Sequence, residues 1–152
     1  MVRAENPDRL VGVTPYLIVD DGKRALEFYQ SVLNAELVEI LQTRNGKIGH
    51  VELKIAGGAV MLADEVPDAD IKSPKRLKGS GVGLMIYVDD VDSVFNRAIA
   101  AGAVAFKPVF DQFYGDRSGT FEDPFGHRWT VSTRIEKVSP EELKRRFDQL
   151  FQ

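Results

Sequence analysis

The chain contains no cysteine, which excludes disulfides, thiolate nucleophiles, iron–sulfur clusters and cysteine-ligated zinc, and leaves His, Asp and Glu to hold any metal. Histidine is nearly as scarce, with His50 and His127 the only two in 152 residues. No Gly-x-Ser-x-Gly elbow accompanies them, so a hydrolase triad has no nucleophile to build on. GTFEDPFG, residues 119–126, lacks the spaced glycines and the Lys-Ser/Thr pair of a phosphate loop, which leaves nucleotide binding without support. Long apolar runs are missing as well: no window approaches the roughly 18 apolar residues of a membrane helix, and the start MVRAENPDRL has no apolar signal core. The expectation is a cytoplasmic protein with no membrane partner. Positive charge is also short. A net charge of −3 offers nucleic-acid phosphates no general attraction, and the one basic cluster, KSPKRLK at 72–78, reads as a solvated loop.

What is present is globular composition, 43% hydrophobic against 28% charged, enough for a real core in one domain-sized chain. The pattern is written twice. YLIVDDGKRALEFYQSVLNAEL (16–37) reads as a strand, an acidic turn and a helix, and LMIYVDDVDSVFNRAIAAGAVAF (84–106) repeats that plan 69 residues later. Apolar residues recur at helical spacing at Ala25, Phe28, Tyr29 and Val32, then at Val91, Val94, Phe95 and Ala98. Three strand-like segments follow each helix: LVEILQ, GHVELKI and AVMLAD, then VAFKP, SGTFED and HRWTVST. Asn45-Gly46 and Gly57-Gly58 mark hairpin turns. The expected fold is α+β: a first βαβββ module at 10–64, a linker without periodicity at 65–81, a second module at 82–136, and a closing helix at 139–151. Ser139, Pro140 and Glu142 supply the start of that helix, and Leu143, Phe147 and Leu150 its apolar stripe.

Strand alternation sorts the side chains onto two faces. Val51, Leu53, Ile55, Val60, Leu62, Trp129 and Val131 belong on the face covered by helices. Thr14, Tyr16, His50, Glu52, Met61, Met85, Tyr87, Thr130 and Ser132 fall on the other. Thioether and aromatic groups are poor choices for a water-facing surface, and their mixture with a few polar groups has the composition of a ligand pocket. His50 with Glu52 is the candidate acid–base pair, against the alternative of a hydrogen-bonded sheet histidine. In YGDR (114–117), Tyr114 and Arg117 offer an aromatic and a planar cation suited to an anionic ligand, unless Arg117 pairs with Asp116 or Glu122. Asp123-Pro124-Phe125-Gly126 has the composition of a tight turn, with His127 expected to be exposed beside it and Trp129 in the core.

The duplicated βαβββ plan, the paired Asp-Asp helix entries and EDPFGHRW resemble the vicinal oxygen chelate superfamily, which includes glyoxalase I, extradiol dioxygenases, fosfomycin-modifying enzymes and bleomycin-binding proteins. PYLIVDDGKRALEFYQSVLNAEL, GHVELKIAGGAVMLADE and FYGDRSGTFEDPFGHRWTVST look most like its PhnB-type branch. The resemblance implies paired modules forming a curved, partly closed mixed sheet. It also implies, for the superfamily's metalloenzymes, one divalent ion held by His or Glu at positions that fall here on Thr14, Met61, Gly83 and Thr130. None of these is a ligand residue, so the expected cofactor set is none. The expected function is metal-independent binding or sequestration of a small organic molecule, with a homodimer and a cleft drawing on Tyr16, Tyr87, Phe113, Tyr114 and Trp129. The alternatives are a metal-dependent lyase or dioxygenase with a non-standard ligand set on His50 and Glu52, or a non-catalytic interaction module with no ligand-sized cavity.

Overall fold

A computed structural model describes residues 12–151 of the chain; the first two residues of the expected first module lie outside it. The elements run β1 (Tyr16–Val19), α1 (Gly22–Leu33), β2 (Glu36–Gln42), β3 (Ile48–Ile55), β4 (Gly58–Asp64), a short helix α2 (Pro74–Leu77), β5 (Gly83–Tyr87), α3 (Val91–Ala100), β6 (Val104–Asp111), β7 (Asp116–Glu122), β8 (Arg128–Arg134) and α4 (Pro140–Leu150). Each module forms a four-stranded mixed sheet with the same order, β1-β4-β3-β2 and β5-β8-β7-β6, and neither sheet closes on itself. The first strand of each module pairs parallel to the last, because the helix between them carries the chain across the sheet.

The second Asp of each Asp-Asp pair caps its helix: Arg24 N–H donates to Asp21 at 3.1 Å and Ser93 N–H donates to Asp90 at 3.0 Å. At the same 69-residue spacing, Asp64 and Thr133 receive the first backbone N–H of the helix. Gly22 N donates to Asp64 at 2.6 Å and Val91 N donates to Thr133 at 3.0 Å. All eight residues of the two helical stripes are buried, and the larger ones among them, such as Phe28, Val32, Val91, Val94 and Phe95, contribute up to about 1.5–3 kcal/mol each as they leave water. Val51, Leu53, Val60, Leu62, Trp129 and Val131 face them.

One core spans both modules. Phe28 of α1 meets Phe121 of β7 and Phe125 of the following turn edge-on, with ring centroids 6.4 and 6.1 Å apart. Arg97 of α3 donates to the Val32 carbonyl near the end of α1 at 2.7 Å. At the centre is the Asp123 carboxylate, nearly buried, receiving hydrogen bonds from Tyr29 Oη (2.6 Å), Trp129 Nε1 (3.0 Å) and the backbone N–H groups of Phe125 and His127 (2.9 Å each). Burial pushes its carboxyl above the ordinary range, against the pull of the Tyr29 bond, the His127 charge and the Trp129 bond. Burial, and next the Asp123 charge, likewise raise the Tyr29 phenol.

Four local expectations are corrected. His127 is 8% exposed, its Nε2 lying 2.9 Å from the Ile18 carbonyl in the other module, so it is a core contact and not an exposed turn residue. The β3–β4 hairpin turns on Ala56-Gly57, with φ of +48° and +81°, one residue before the expected Gly57-Gly58. The linker is ordered: a 3₁₀ turn at Pro67–Ala69 precedes α2, which Ser73 caps, and Glu65 accepts from Arg76 Nη2 at 2.7 Å and Ser73 N at 3.0 Å. KSPKRLK is therefore a capped helical turn, and Pro74 crowds Gly126 so closely that a Cβ there would lie 2.9 Å from it. Finally, α4 starts as expected at the Ser139 cap, but none of its stripe is buried; Phe147 touches Phe113 with centroids 6.0 Å apart.

Asp123→Asn puts an amide N–H₂ against donors that need an acceptor. It should cost about 1–3 kcal/mol in urea unfolding, as for a buried unsatisfied donor; a neutral result would show that this carboxylate is not the junction of the modules. The Arg76 hydrogen bonds first, and the Ser73 bonds next, lower the Glu65 carboxyl from 4.5 to about 2. Since the folded value lies below the unfolded one, its stabilisation is complete above pH 4.5 and is lost as pH falls toward 2. Glu65→Gln should therefore flatten the acid limb of the stability–pH curve over that interval, and an unchanged slope would contradict the assignment.

Candidate functional site

With the helices on one face, the opposite face of both sheets is left uncovered by the elements of the described residues. Tyr16, Leu41, Met85, Tyr87, Phe106 and Phe110 are exposed there. Where the two sheets approach, a cavity of about 610 Å³ opens, within the range of roughly 300–1,000 Å³ typical of small-molecule sites. The residues before β1 and the Ala56-Gly57 turn form one wall, and β5 with the edge of Trp129 forms the other; Thr14, Lys54, Val60, Met85, Tyr87 and Trp129 are among the lining residues. Of the sequence candidates, Thr14, Met85 and Tyr87 are brought together here. Lys54, which strand alternation puts on the same face as His50 and Glu52, lines the cavity although it was not chosen as a candidate.

The remaining candidates stand outside that cavity. Tyr16 Oη lies 2.8 Å from His50 Nδ1, so the histidine is a hydrogen-bonded sheet residue. Met61 sits between Tyr16 and Glu52 in the strand register and is half-buried. Thr130 exchanges a 2.8 Å hydrogen bond with Thr120. Tyr87 donates to the buried Asp116 at 2.8 Å, and Arg134 also bonds that carboxylate, which fixes one cavity wall from behind. Ser132 is fully buried, and its Oγ has no hydrogen-bond partner among the described residues. Tyr114, with Phe113, instead lines a second depression of about 440 Å³ against α4.

Arg117 is committed elsewhere. Its Nε and Nη2 donate to the two Asp92 oxygens at 2.7 and 2.8 Å, and Nη1 donates to Asp111 at 2.9 Å. Neither Asp116 nor Glu122, the partners weighed from sequence, is involved. The hydrogen bond to Arg117 lowers the Asp92 carboxyl, and a ligand anion would have to displace a carboxylate to reach the guanidinium.

The positions at which the superfamily's metal is expected do not fit a cation. Thr14 and Thr130 offer hydroxyls, the latter already bonded to Thr120, Met61 offers a thioether, and Gly83 offers no side chain. A different set does converge: Glu39 of β2 with His50 and Glu52 of β3, whose ligand atoms all lie within 4.8 Å of one another. His50 and Glu52 were legible as neighbours two apart on one strand. Glu39 was missed because a bulge between Leu37 and Glu39 shifts β2 by one residue and brings Glu39 directly opposite Glu52.

Two βαβββ modules with this strand order and an uncovered sheet face define the glyoxalase-type fold. Residues 8–131 match the Glyoxalase/Bleomycin resistance protein/Dioxygenase superfamily, and the chain belongs to it. An uncharacterized protein of Mycobacterium bovis is 36% identical over 135 residues, covering 87% of this chain and 89% of its own. Among solved structures, TioX from Micromonospora sp. ML1 is similar with a TM-score of 0.63 and 27% identity, over 82% of this chain and 99% of TioX. A PhnB protein from Bacillus cereus, described as a putative 3-demethylubiquinone-9 3-methyltransferase, shares the fold with a TM-score of 0.63 at 20% identity, over 80% and 98% of the two chains. Among the described residues, no helix is long and apolar enough to cross a membrane.

Proposed function

We propose that this protein binds and sequesters a small organic molecule in the cavity between its two modules, without a metal at the superfamily's usual position. The observation that carries the reading is the lining: Val60, Leu84, Met85, Ile86 and the Tyr87 ring supply apolar surface, while Thr14, Lys54 and the backbone of the Ala56-Gly57 turn supply few, fixed polar groups. Such a site holds a flat or aliphatic body by burial and orients it by its polar edge. Lys54 at the rim favours a ligand with an acidic or carbonyl group. The chain's own acid–base candidate, His50, does not line the cavity, so the geometry supports capture rather than turnover.

A homodimer belongs to the same proposal. The uncovered face carries more large apolar side chains than the cavity uses, and a second copy laid across it would remove Tyr16, Leu41, Phe106 and Phe110 from water. The reading as a plain interaction module is less well supported, because a ligand-sized cavity is present. The enzyme alternative, with metal on His50 and Glu52, gains one donor from Glu39, and no reaction step follows from that alone.

Chelator-treated protein should show saturable binding to members of a library of small aromatic and carboxylic compounds, read as increased melting temperature. Met85→Glu places a charge in the apolar wall and should abolish those shifts while the circular dichroism spectrum stays unchanged. No hit in the library, or hits indifferent to Met85→Glu, would contradict the cavity as the binding site.

A further inference from the structure

Glu39, His50 and Glu52 form a constellation that the cavity does not use, since none of the three lines it. They come from the edge strand β2 of the first sheet and its neighbour β3. The pairing of Glu39 opposite Glu52, with Leu41 opposite His50, places all three side chains on the face away from the helices. Two carboxylates directly across a strand pair repel one another and cost stability unless something neutralises them. Among the described residues, neither Glu39 nor Glu52 has a Lys or Arg within ion-pair distance, although ten other carboxylates do. His50 is the one basic side chain in the cluster, and it is held by Tyr16 Oη at Nδ1. When the phenol oxygen accepts from Nδ1–H, the tautomer is set with the lone pair on Nε2, which is how outer partners prepare a metal-binding imidazole.

We infer that Glu39, His50 and Glu52 bind one divalent first-row transition ion at the outer part of the uncovered face. The donor set selects the ion. An imidazole nitrogen with two carboxylates suits Zn²⁺, Mn²⁺ or Fe²⁺, whereas Ca²⁺ and Mg²⁺ prefer all-oxygen shells and soft Cu⁺ prefers sulfur. Ligands bonded to zinc at about 2.0–2.2 Å must sit at most about 4.4 Å apart, so a side-chain adjustment of exposed Glu39 closes the set. Three protein ligands leave at least one coordination position for solvent or a ligand oxygen.

The site is distinct from the superfamily's position in register as well as in chemistry. Met61 pairs with Tyr16 on one side and Glu52 on the other, so the new set begins one strand outward from β4 and reaches the sheet edge. An ion there would clamp β2 to β3, ordering the edge strand whose residues are mostly exposed.

The test uses the full chain, stripped with chelator and titrated with ZnCl₂ by isothermal calorimetry, with Co²⁺ absorption as a second readout. The expected result is one ion per chain. Glu39→Gln, His50→Gln and Glu52→Gln should each weaken it by at least about tenfold, as for losing a direct ligand, while Glu36→Gln on the same strand leaves it unchanged. His50→Gln should also shift the Co²⁺ d–d bands, since a nitrogen ligand is lost. Absence of saturable binding, or affinity indifferent to all three substitutions, overturns the site. Binding of organic compounds to the stripped protein reports on the cavity independently, so failure of one proposal leaves the other standing.

Discussion

The Asp123 carboxylate is the junction on which the arrangement depends. Its four donors come from the helix of the first module, the last strand of the second, and the backbone of the turn between β7 and β8. A buried anion is tolerated only when its acceptor capacity is met, and here that requirement forces Tyr29 and Trp129 to the same point. Their rings pack 5.4 Å apart as a result, and Phe28 and Phe125 fill the space around them. His127, held to the Ile18 carbonyl, ties the same turn to β1. EDPFGHRW is thus the seam that joins the modules, and its chemistry is structural.

Closing the modules on this side determines what remains on the other. Both helices spend their apolar stripes on one face of the sheets, so no helix of the described residues covers the opposite face. The residues before β1 and the strand β5, each at one edge of its sheet, bring Thr14, Met85 and Tyr87 together where the cavity opens. At the positions that carry metal ligands in the superfamily's metalloenzymes, this chain offers hydroxyls, a thioether and a glycine. That donor chemistry, together with the lining of the cavity, is what the proposed capture of an organic molecule rests on. Polar chemistry is displaced outward to β2 and β3, where Glu39, His50 and Glu52 meet.

Much of this was legible from local pattern. The helical stripes, the Asp-Asp entries to both helices, the two faces of β3, β4 and β8, and the Ser139 start of α4 all follow from periodicity, turn composition and capping chemistry, which act over a few residues. What escaped depends on distant partners. His127 looks like a turn residue until Ile18, 109 positions away, comes beside it. Arg117 finds Asp92 on α3 rather than its sequence neighbours, because α3 lies across β7. Glu39 joins His50 and Glu52 only through a bulge, and a one-residue shift in register moves a side chain to the other face. The α2 turn was hidden by composition, since a charged Pro- and Gly-rich stretch gives no periodicity while its cap and the Glu65 bonds still order it.

The most direct test of the cavity reading is methyl-methionine NMR on chelator-treated protein during titration with a compound that raises its melting temperature. Met61 and Met85 can both report, and of these two Met85 lines the cavity while Met61 does not. A saturable shift of the Met85 methyl, larger than that of the Met61 methyl and with no metal added, is the predicted result. A bound compound that leaves Met85 unperturbed, or perturbs it only after metal is restored, would contradict metal-independent capture between the modules.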